Sequence, residues 1–284
     1  MADLKIAVEY FESKKKLSAN DFFELATLEI NPVSKAAMTA AALHYISGQI
    51  KSYPWAVLEL DEPVRIETSF TVSIDTPEKM AAEIRDCRYP IIKIKMGFDG
   101  DEILVELLNE NPDRLYRIDA NGGWDLEKAE KMIHLLSEIN VELVEQPTVP
   151  EYAREWRYLK KGKKVPLFID EGLGTAAEYN HYAEYVDGIN IKMAKSGGII
   201  EAVKIARMAR RDKIKIMLGC MVESSVGIAP AVYLSSLADY FDLDGPLLMN
   251  QDIATGLNFN LEKIEITEDI IGGPKIKDEF LREA

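Results

Sequence analysis

Cysteine and histidine are scarce, 2 and 3 among 284 residues. Cys87 and Cys220 are too few for a disulfide framework or a zinc cluster. Basic charge is also short: 34 Lys and Arg face 48 Asp and Glu, for a formal charge of −14. Phosphate-backbone binding needs a basic stripe, so this balance argues against nucleic acid and against an anionic membrane surface as partners. No apolar run approaches the roughly 18 to 20 residues of a bilayer span. The N-terminal MADLKIAVEYFESKKK carries charges where a signal peptide keeps its apolar stretch. What remains is an acidic chain, 47% apolar, long enough for one large domain, or one large and one small, around a sizeable core. The expected compartment is the cytoplasm.

Short β-rich apolar runs recur along the middle of the chain. They are TSFTVSI from Thr68, IIKIKM from Ile91, LYRIDA from Leu115, VELVEQ from Val141, PLFIDE from Pro166, DGINIK from Asp187, IKIMLG from Ile214 and YFDLDG from Tyr240. Between them lie patterns such as PEKMAAEIRDC, DLEKAEKMIHLLSEI and GIIEAVKIARMARR, with apolar residues three or four apart, as a helix requires. Eight buried-type strands alternating with helices predict an α/β fold of the (β/α)8 TIM-barrel type. A doubly wound sheet would show a Gly-rich loop after its first strand, where this chain has Ile74-Asp75-Thr76-Pro77.

The barrel is expected over residues 66–250. Residues 1–65 read as helices with a loop and form the expected helical part of a second domain. Residues 251–284 return to it, and LNFNLEKIEI reads as a strand without an obvious partner.

Barrel active sites form at the C-terminal ends of the strands. The second run ends in Lys93-Ile94-Lys95, the third in Asp119, the fourth in Glu145, the fifth in Asp170 and the sixth in Lys192. Burying one unpaired carboxylate already costs several kcal/mol, so five consecutive charged strand ends point to a site. Asp119, Glu145 and Asp170 offer only hard oxygen donors, for which Mg²⁺ is the expected ion and Mn²⁺ or Ca²⁺ the alternatives. Lys93 and Lys95 share parity and face inward. Lysines on the second and sixth strands flank the ion, and nearby positive charge is expected to lower a lysine pKa toward that of a usable base. Two opposed lysines around a divalent ion suit removal of a proton next to a carboxylate. That step creates an enediolate, which a metal stabilises by several kcal/mol. The predicted chemistry is 1,1-proton transfer or elimination.

KIKMG (Lys93 to Gly97), DANGGW (Asp119 to Trp124), VEQP (Val144 to Pro147), IDEG (Ile169 to Gly172) and NIKMAKSGG (Asn190 to Gly198) together resemble the enolase superfamily, in its muconate-lactonizing branch. The resemblance implies a modified (β/α)7β barrel with a partial α+β capping domain. It implies Mg²⁺ on Asp119, Glu145 and Asp170, and Lys95 and Lys192 as the two acid/base groups. Lys93 would help neutralise the substrate carboxylate and tune Lys95, with Lys195 as a supporting charge. GCMVESS (Gly219 to Ser225) and FDLDGPLL (Phe241 to Leu248) are similar to the dipeptide epimerases. There an Asp-x-Asp pair binds the α-ammonium of a dipeptide, here Asp242 and Asp244, with charge-assisted hydrogen bonds. Cys220 and Met221 are expected as further substrate contacts, and no base is visible to make Cys220 a nucleophile. Glu223 reads equally as a helix-start residue.

The resemblance also implies an α-proton epimerase that converts L,L-dipeptides to L,D at the C-terminal residue. The alternatives are o-succinylbenzoate synthesis or a muconate-type cycloisomerisation, and, outside catalysis, a metal-binding or ligand-binding remnant. Two departures stand out: IDEG replaces the commoner Asp-Glu-Ser, and His44 in Ala42 to Tyr45 replaces the acid of the family's last cap helix. The chain is expected to start after the β-meander that opens the family's cap. Homo-oligomer formation is a further expectation by analogy. His44, His134 and His181 read as structural, Lys160–Lys164 as a solvated turn, and Gly197-Gly198 as close packing under the substrate.

Overall fold

Side chains of a strand alternate between two faces, so every barrel strand commits one set of residues to the interior and the other to the surrounding helices. The computed structural model describes residues 2–159, 165–267 and 269–281; the Lys160–Lys164 run lies outside them. After β1 (Ile66–Glu67), eight parallel strands follow in sequence order around the barrel: β2 (Phe70–Val72), β3 (Ile91–Lys95), β4 (Leu115–Asp119), β5 (Val141–Glu145), β6 (Leu167–Ile169), β7 (Gly188–Lys192), β8 (Lys215–Gly219) and β9 (Tyr240–Asp242). The ring closes through a parallel bridge between Thr68 and Phe241, with the Ser69 N–H donating to the Phe241 carbonyl at 3.2 Å. The eight runs in the sequence are these eight strands, and the (β/α)8 expectation holds.

Helices cover the outside because their apolar residues recur every three or four positions. The helix Ile199–Asp212 buries Ile199, Ala202, Val203, Ile205, Ala206 and Ala209. The helix Leu126–Leu136 starts where the Asp125 carboxylate accepts the Lys128 N–H at 2.7 Å. Inside the barrel the lower layer is divided. One half is apolar, with Leu143, Phe168 and Met217 packed beside Tyr240. The Phe168 ring occupies the space that a side chain at 188 would need: a Cβ on Gly188 would lie 2.2 Å from the ring. The other half is polar and holds Ser69, Lys93, Arg117 and Asp242, all buried.

Residues 2–57 form α1 (Ala2–Glu12), α2 (Ala19–Ala26), α3 (Pro32–Ile50) and α4 (Pro54–Val57). Helix α3 starts at Pro32 under an Asn31 cap and ends at Lys51 with φ 55°. It buries an alanine-rich face that includes Ala40 and Ala42. A Cβ on Gly198 would lie 2.0 Å from Thr39 Oγ1 of this helix. The Gly197-Gly198 pair therefore permits close approach of α3, rather than packing under a substrate as expected.

LNFNLEKIEI departs from its expected form. It is two strands, β11 (Leu257–Asn260) and β12 (Lys263–Ile266), paired antiparallel with Asn260 opposite Lys263. Leu261, at φ 51°, turns the chain between them. The alternation of each arm conceals the turn, because no glycine or asparagine occupies the positive-φ position. The missing partner is β1, with Ile66 opposite Ile264. A second small sheet pairs β10 (Ala254–Thr255) with β13 (Lys275–Ile276). Among the described residues no helix is long and apolar enough to cross a membrane.

Candidate active site

The charged strand ends come together at the C-terminal mouth of the barrel. Strand register places Lys95 beside Asp119 and Asp119 beside Glu145. Asp170 follows the end of β6, and Lys192 closes β7. The Lys95 Nζ lies 2.7 Å from Asp119 Oδ2, and Lys192 Nζ lies 3.0 Å from Asp170 Oδ2. Of the two mouth lysines, Lys95 thus sits on Asp119 and Lys192 on Asp170, with Glu145 on the strand between them. Lys195 also reaches Asp170 Oδ2, at 2.6 Å. β3 and β7 are four strands apart in an eight-stranded ring, so Lys95 and Lys192 come from opposite walls.

Lys93 is buried below them, and its ammonium touches three carboxylates: Asp119 at 3.0 Å, Glu145 at 2.7 Å and Asp242 at 2.7 Å. Burial alone would push its pKa down, but Asp119, Asp242 and Glu145 hold it well above the ordinary lysine value. Lys93 neutralises the carboxylate cluster from beneath. Burial pushes Glu145 up to about 7, assisted by the charge on Asp119. Burial opposes ionisation of Asp119 as well, but Lys93 and Lys95 hold it below the usual carboxylate range. At Lys192, against its burial and the charge of Lys93, Glu145 and Asp170 hold the pKa above its usual value.

Over this cluster lies a cavity of about 410 Å³, lined by Lys93, Lys95, Lys192, Lys195, Asp170, Cys220, Met221, Asp242 and Asp244, among others. A larger groove of about 710 Å³ runs between residues 62–66 and β12 and contains none of these lysines. Met221, 51% exposed, and Val222, 67% exposed, form an apolar rim of the cavity. The Cys220 Sγ accepts the Gly245 N–H at 3.3 Å. Burial and then the charge of Asp244 push the thiol well above its ordinary pKa, the opposite of an activated nucleophile. Burial, then the charge of Asp242, raises Asp244 to about 6. Glu223 accepts the Met221 N–H at 3.0 Å.

Several participants carried no signal strong enough to single them out. Asn190 donates to Glu145 Oε1 at 2.7 Å, and Gln146 Oε1 accepts both the Asp170 and Glu171 N–H groups at 2.9 Å. Ser69 donates to Asp242 Oδ1 at 2.7 Å, and the Thr71 N–H donates to Asp244 Oδ2 at 2.7 Å. Inward parity with Lys192 was the one clue to Asn190. The motif glycines have a plain reason: Cβ atoms on Gly97 and Gly123 would lie 2.2 Å from the Ala120 carbonyl oxygen and 2.4 Å from the Gly97 carbonyl oxygen. His44 lies apart from the cavity, with its Nε2 3.1 Å from the Tyr233 hydroxyl.

Among the described residues no group of three His, Cys, Asp or Glu side chains stands arranged around a single metal position, since lysines lie between the carboxylates. The donor chemistry still fits a hard divalent cation. Asp119, Glu145 and Asp170 supply oxygens only, and the buried Asp170 Oδ1 has no hydrogen-bond partner.

Residues 76–263 match the family model described as enolase C-terminal domain-like. An L-Ala-D/L-Glu epimerase of Bacteroides thetaiotaomicron is 32% identical over 268 residues, covering 89% of this chain and 70% of that protein. A hydrophobic dipeptide epimerase of Roseobacter litoralis is 36% identical over 206 residues, covering 68% of this chain and 59% of that protein. Among solved structures, the dipeptide epimerase of Cytophaga hutchinsonii, complexed with Mg and the dipeptide D-Ala-L-Val, superposes with a TM-score of 0.82 at 27% identity, covering 90% of this chain and 73% of that one. With its barrel, its ordered motifs and these relatives, the chain belongs to the enolase C-terminal domain-like family.

Proposed function

We propose that this protein is a dipeptide epimerase that moves the α-proton of the C-terminal residue between two lysines. The observation that carries this reading is the approach of Lys95 and Lys192 to one cavity from opposite walls of the barrel. That the chain is an isomerase follows from its epimerase relatives. In the reaction a neutral lysine takes the α-proton, leaving an enediolate. The opposite lysine, which starts protonated, returns a proton to the other face of the same carbon. The protein ends with the same number of protons, with the roles of Lys95 and Lys192 exchanged.

Asp119, Glu145 and Asp170 would hold Mg²⁺, which when bound supplies positive charge to the substrate carboxylate. Gln146 holds the Asp170 backbone, and Asn190 holds Glu145. Asp244 faces the cavity from β9's end and suits a substrate ammonium. A substrate without an amine, as in the dehydration or cycloisomerisation alternatives, would leave that buried carboxylate unmatched.

The test is α-proton exchange in D₂O with Mg²⁺ over a set of L,L-dipeptides, including Ala-Glu and hydrophobic pairs, read by mass spectrometry. Deuterium uptake that disappears with EDTA and in the double variant Lys95→Ala/Lys192→Ala is the expected result. No uptake from any dipeptide, in folded protein with bound metal, would overturn the reading.

A further inference from the structure

A continuous polar column crosses the barrel interior beneath the cavity. Arg117 is anchored at the lower end: its Nε donates to Glu142 Oε2 at 2.7 Å and its Nη1 to the Phe241 carbonyl at 2.5 Å. The same Nη1 lies 3.4 Å from Ser69 Oγ. Ser69 donates to Asp242 Oδ1 at 2.7 Å, and Asp242 Oδ2 accepts from Lys93 Nζ at 2.7 Å. Lys93 then reaches Asp119 and Glu145. Ser69, Arg117, Lys93 and Asp242 are each at most 4% exposed. Groups so buried keep their geometry only while their partners are in place.

The two acids of the Asp-x-Asp pair therefore stand in different electrostatic positions. Asp242 already has a cation, Lys93, and both its oxygens are engaged inside the barrel. Asp244 is held by the neutral Thr71, and among the described residues it forms no ion pair. A second positive charge arriving between them meets one matched carboxylate and one unmatched one.

We infer that the pair divides its work: Asp244 receives the substrate's cationic amine, whereas Asp242 is a positioning residue that, fixed by Ser69, holds Lys93 under Asp119 and Glu145. This rests on the dipeptide reading for the amine, while the placement of Lys93 stands apart from it. Ser69 and Arg117 then act through Asp242 and have no contact with substrate.

The test compares Asp244→Asn, Asp242→Asn, Ser69→Ala and Ser69→Thr on a dipeptide and on an N-acyl amino acid with the same C-terminal residue but no amine. Asp244→Asn is expected to raise KM for the dipeptide at least tenfold and leave KM for the acyl compound within twofold. Ser69→Ala and Asp242→Asn are expected to lower kcat at least tenfold with KM for the dipeptide within twofold, and Ser69→Thr to restore kcat. A selective rise in dipeptide KM for Asp242→Asn, matching that of Asp244→Asn, would overturn the division. So would an unchanged kcat in both Asp242→Asn and Ser69→Ala. Should Ser69→Ala fail to fold, Asp242→Asn decides the matter.

A second measurement needs no substrate. Acetylation of lysines in the folded protein is followed by mass spectrometry, with the exposed Lys204 as internal reference. Lys93 is expected to label at least fivefold faster in Ser69→Ala and Asp242→Asn than in the wild type. An unchanged ratio to Lys204 would refute the positioning role. If the wild type turned over neither compound, the epimerase reading and the amine assignment would fall together. The labelling result would then still decide the role of Asp242.

Discussion

Asn190 reaches Glu145 across a space that exists because residue 219 has no side chain. A Cβ on Gly219 would lie 2.4 Å from Asn190 Oδ1, and Asn190 Nδ2 donates to Glu145 Oε1 at 2.7 Å. Asn190 on β7 and Gly219 on β8 are diagonal neighbours, since the register sets Asn190 opposite Met217 and Lys192 opposite Gly219. The glycine therefore maintains the central carboxylate of the cluster from the neighbouring strand. Gly219→Ala is expected to push Asn190 off Glu145, destabilise the protein by about 1–3 kcal/mol and lower turnover at least tenfold. Chemical denaturation and steady-state kinetics measure the two effects.

The two lysines should be separable by stereochemistry. Each serves one face of the α-carbon, so Lys95→Ala and Lys192→Ala should each abolish epimerisation, by about 10²–10⁴-fold. Each variant should still exchange deuterium into one of the two diastereomers, and the pair should prefer opposite ones. NMR of L,L- and L,D-dipeptides in D₂O reads this directly. Equal loss of exchange from both diastereomers in both variants would contradict a base on each face.

Metal binding can be measured without turnover. A cation bound to the folded chain at 100 times its Kd stabilises it by about 2.7 kcal/mol. Mg²⁺ and Mn²⁺ should therefore raise the melting temperature, and EDTA should reverse the change. Asp170→Asn should reduce the shift most clearly, because its buried Oδ1 has no hydrogen-bond partner, whereas Glu145 Oε2, which also lacks one, is held by the Lys93 ammonium at 2.7 Å. Loss of the shift in Asp170→Asn, with retention in Glu127→Gln at an exposed position of the helix Leu126–Leu136, is the expected pattern.

His44 ties helix α3 to Tyr233 and packs where a Cβ on Gly273 would meet its ring at 2.2 Å. Burial lowers its pKa to about 4. The unfolded chain takes up a proton at about 6.5, before the folded protein does, so acid favours unfolding. The stability linked to this residue is present above pH 6.5 and is lost as pH falls toward 4, by at most about 3 kcal/mol. Denaturation of the wild type and His44→Gln at several pH values should show a steeper loss between pH 6.5 and 4 in the wild type.

The sequence alone determined the barrel and its charged rim. Strand periodicity is local, and the last residue of each run points to the mouth wherever the run lies in space. Lys95, Asp119, Glu145, Asp170 and Lys192 were therefore legible without coordinates. Their partners were not. Ser69 and Asp242 are 173 residues apart, and Asn190 and Glu145 are 45 apart. A serine, an asparagine or an arginine inside a strand looks the same in sequence whether it faces water or the barrel axis. The hairpin of β11 and β12 was hidden for a related reason, because its turn uses Leu261 at positive φ and its partner β1 lies almost 200 residues away. Which carboxylate Lys93 neutralises, which acid of the Asp-x-Asp pair remains unmatched, and which glycines open the space for both were decided by tertiary structure. Each depends on distances across the closed ring, and ring closure brings together residues that no local pattern connects.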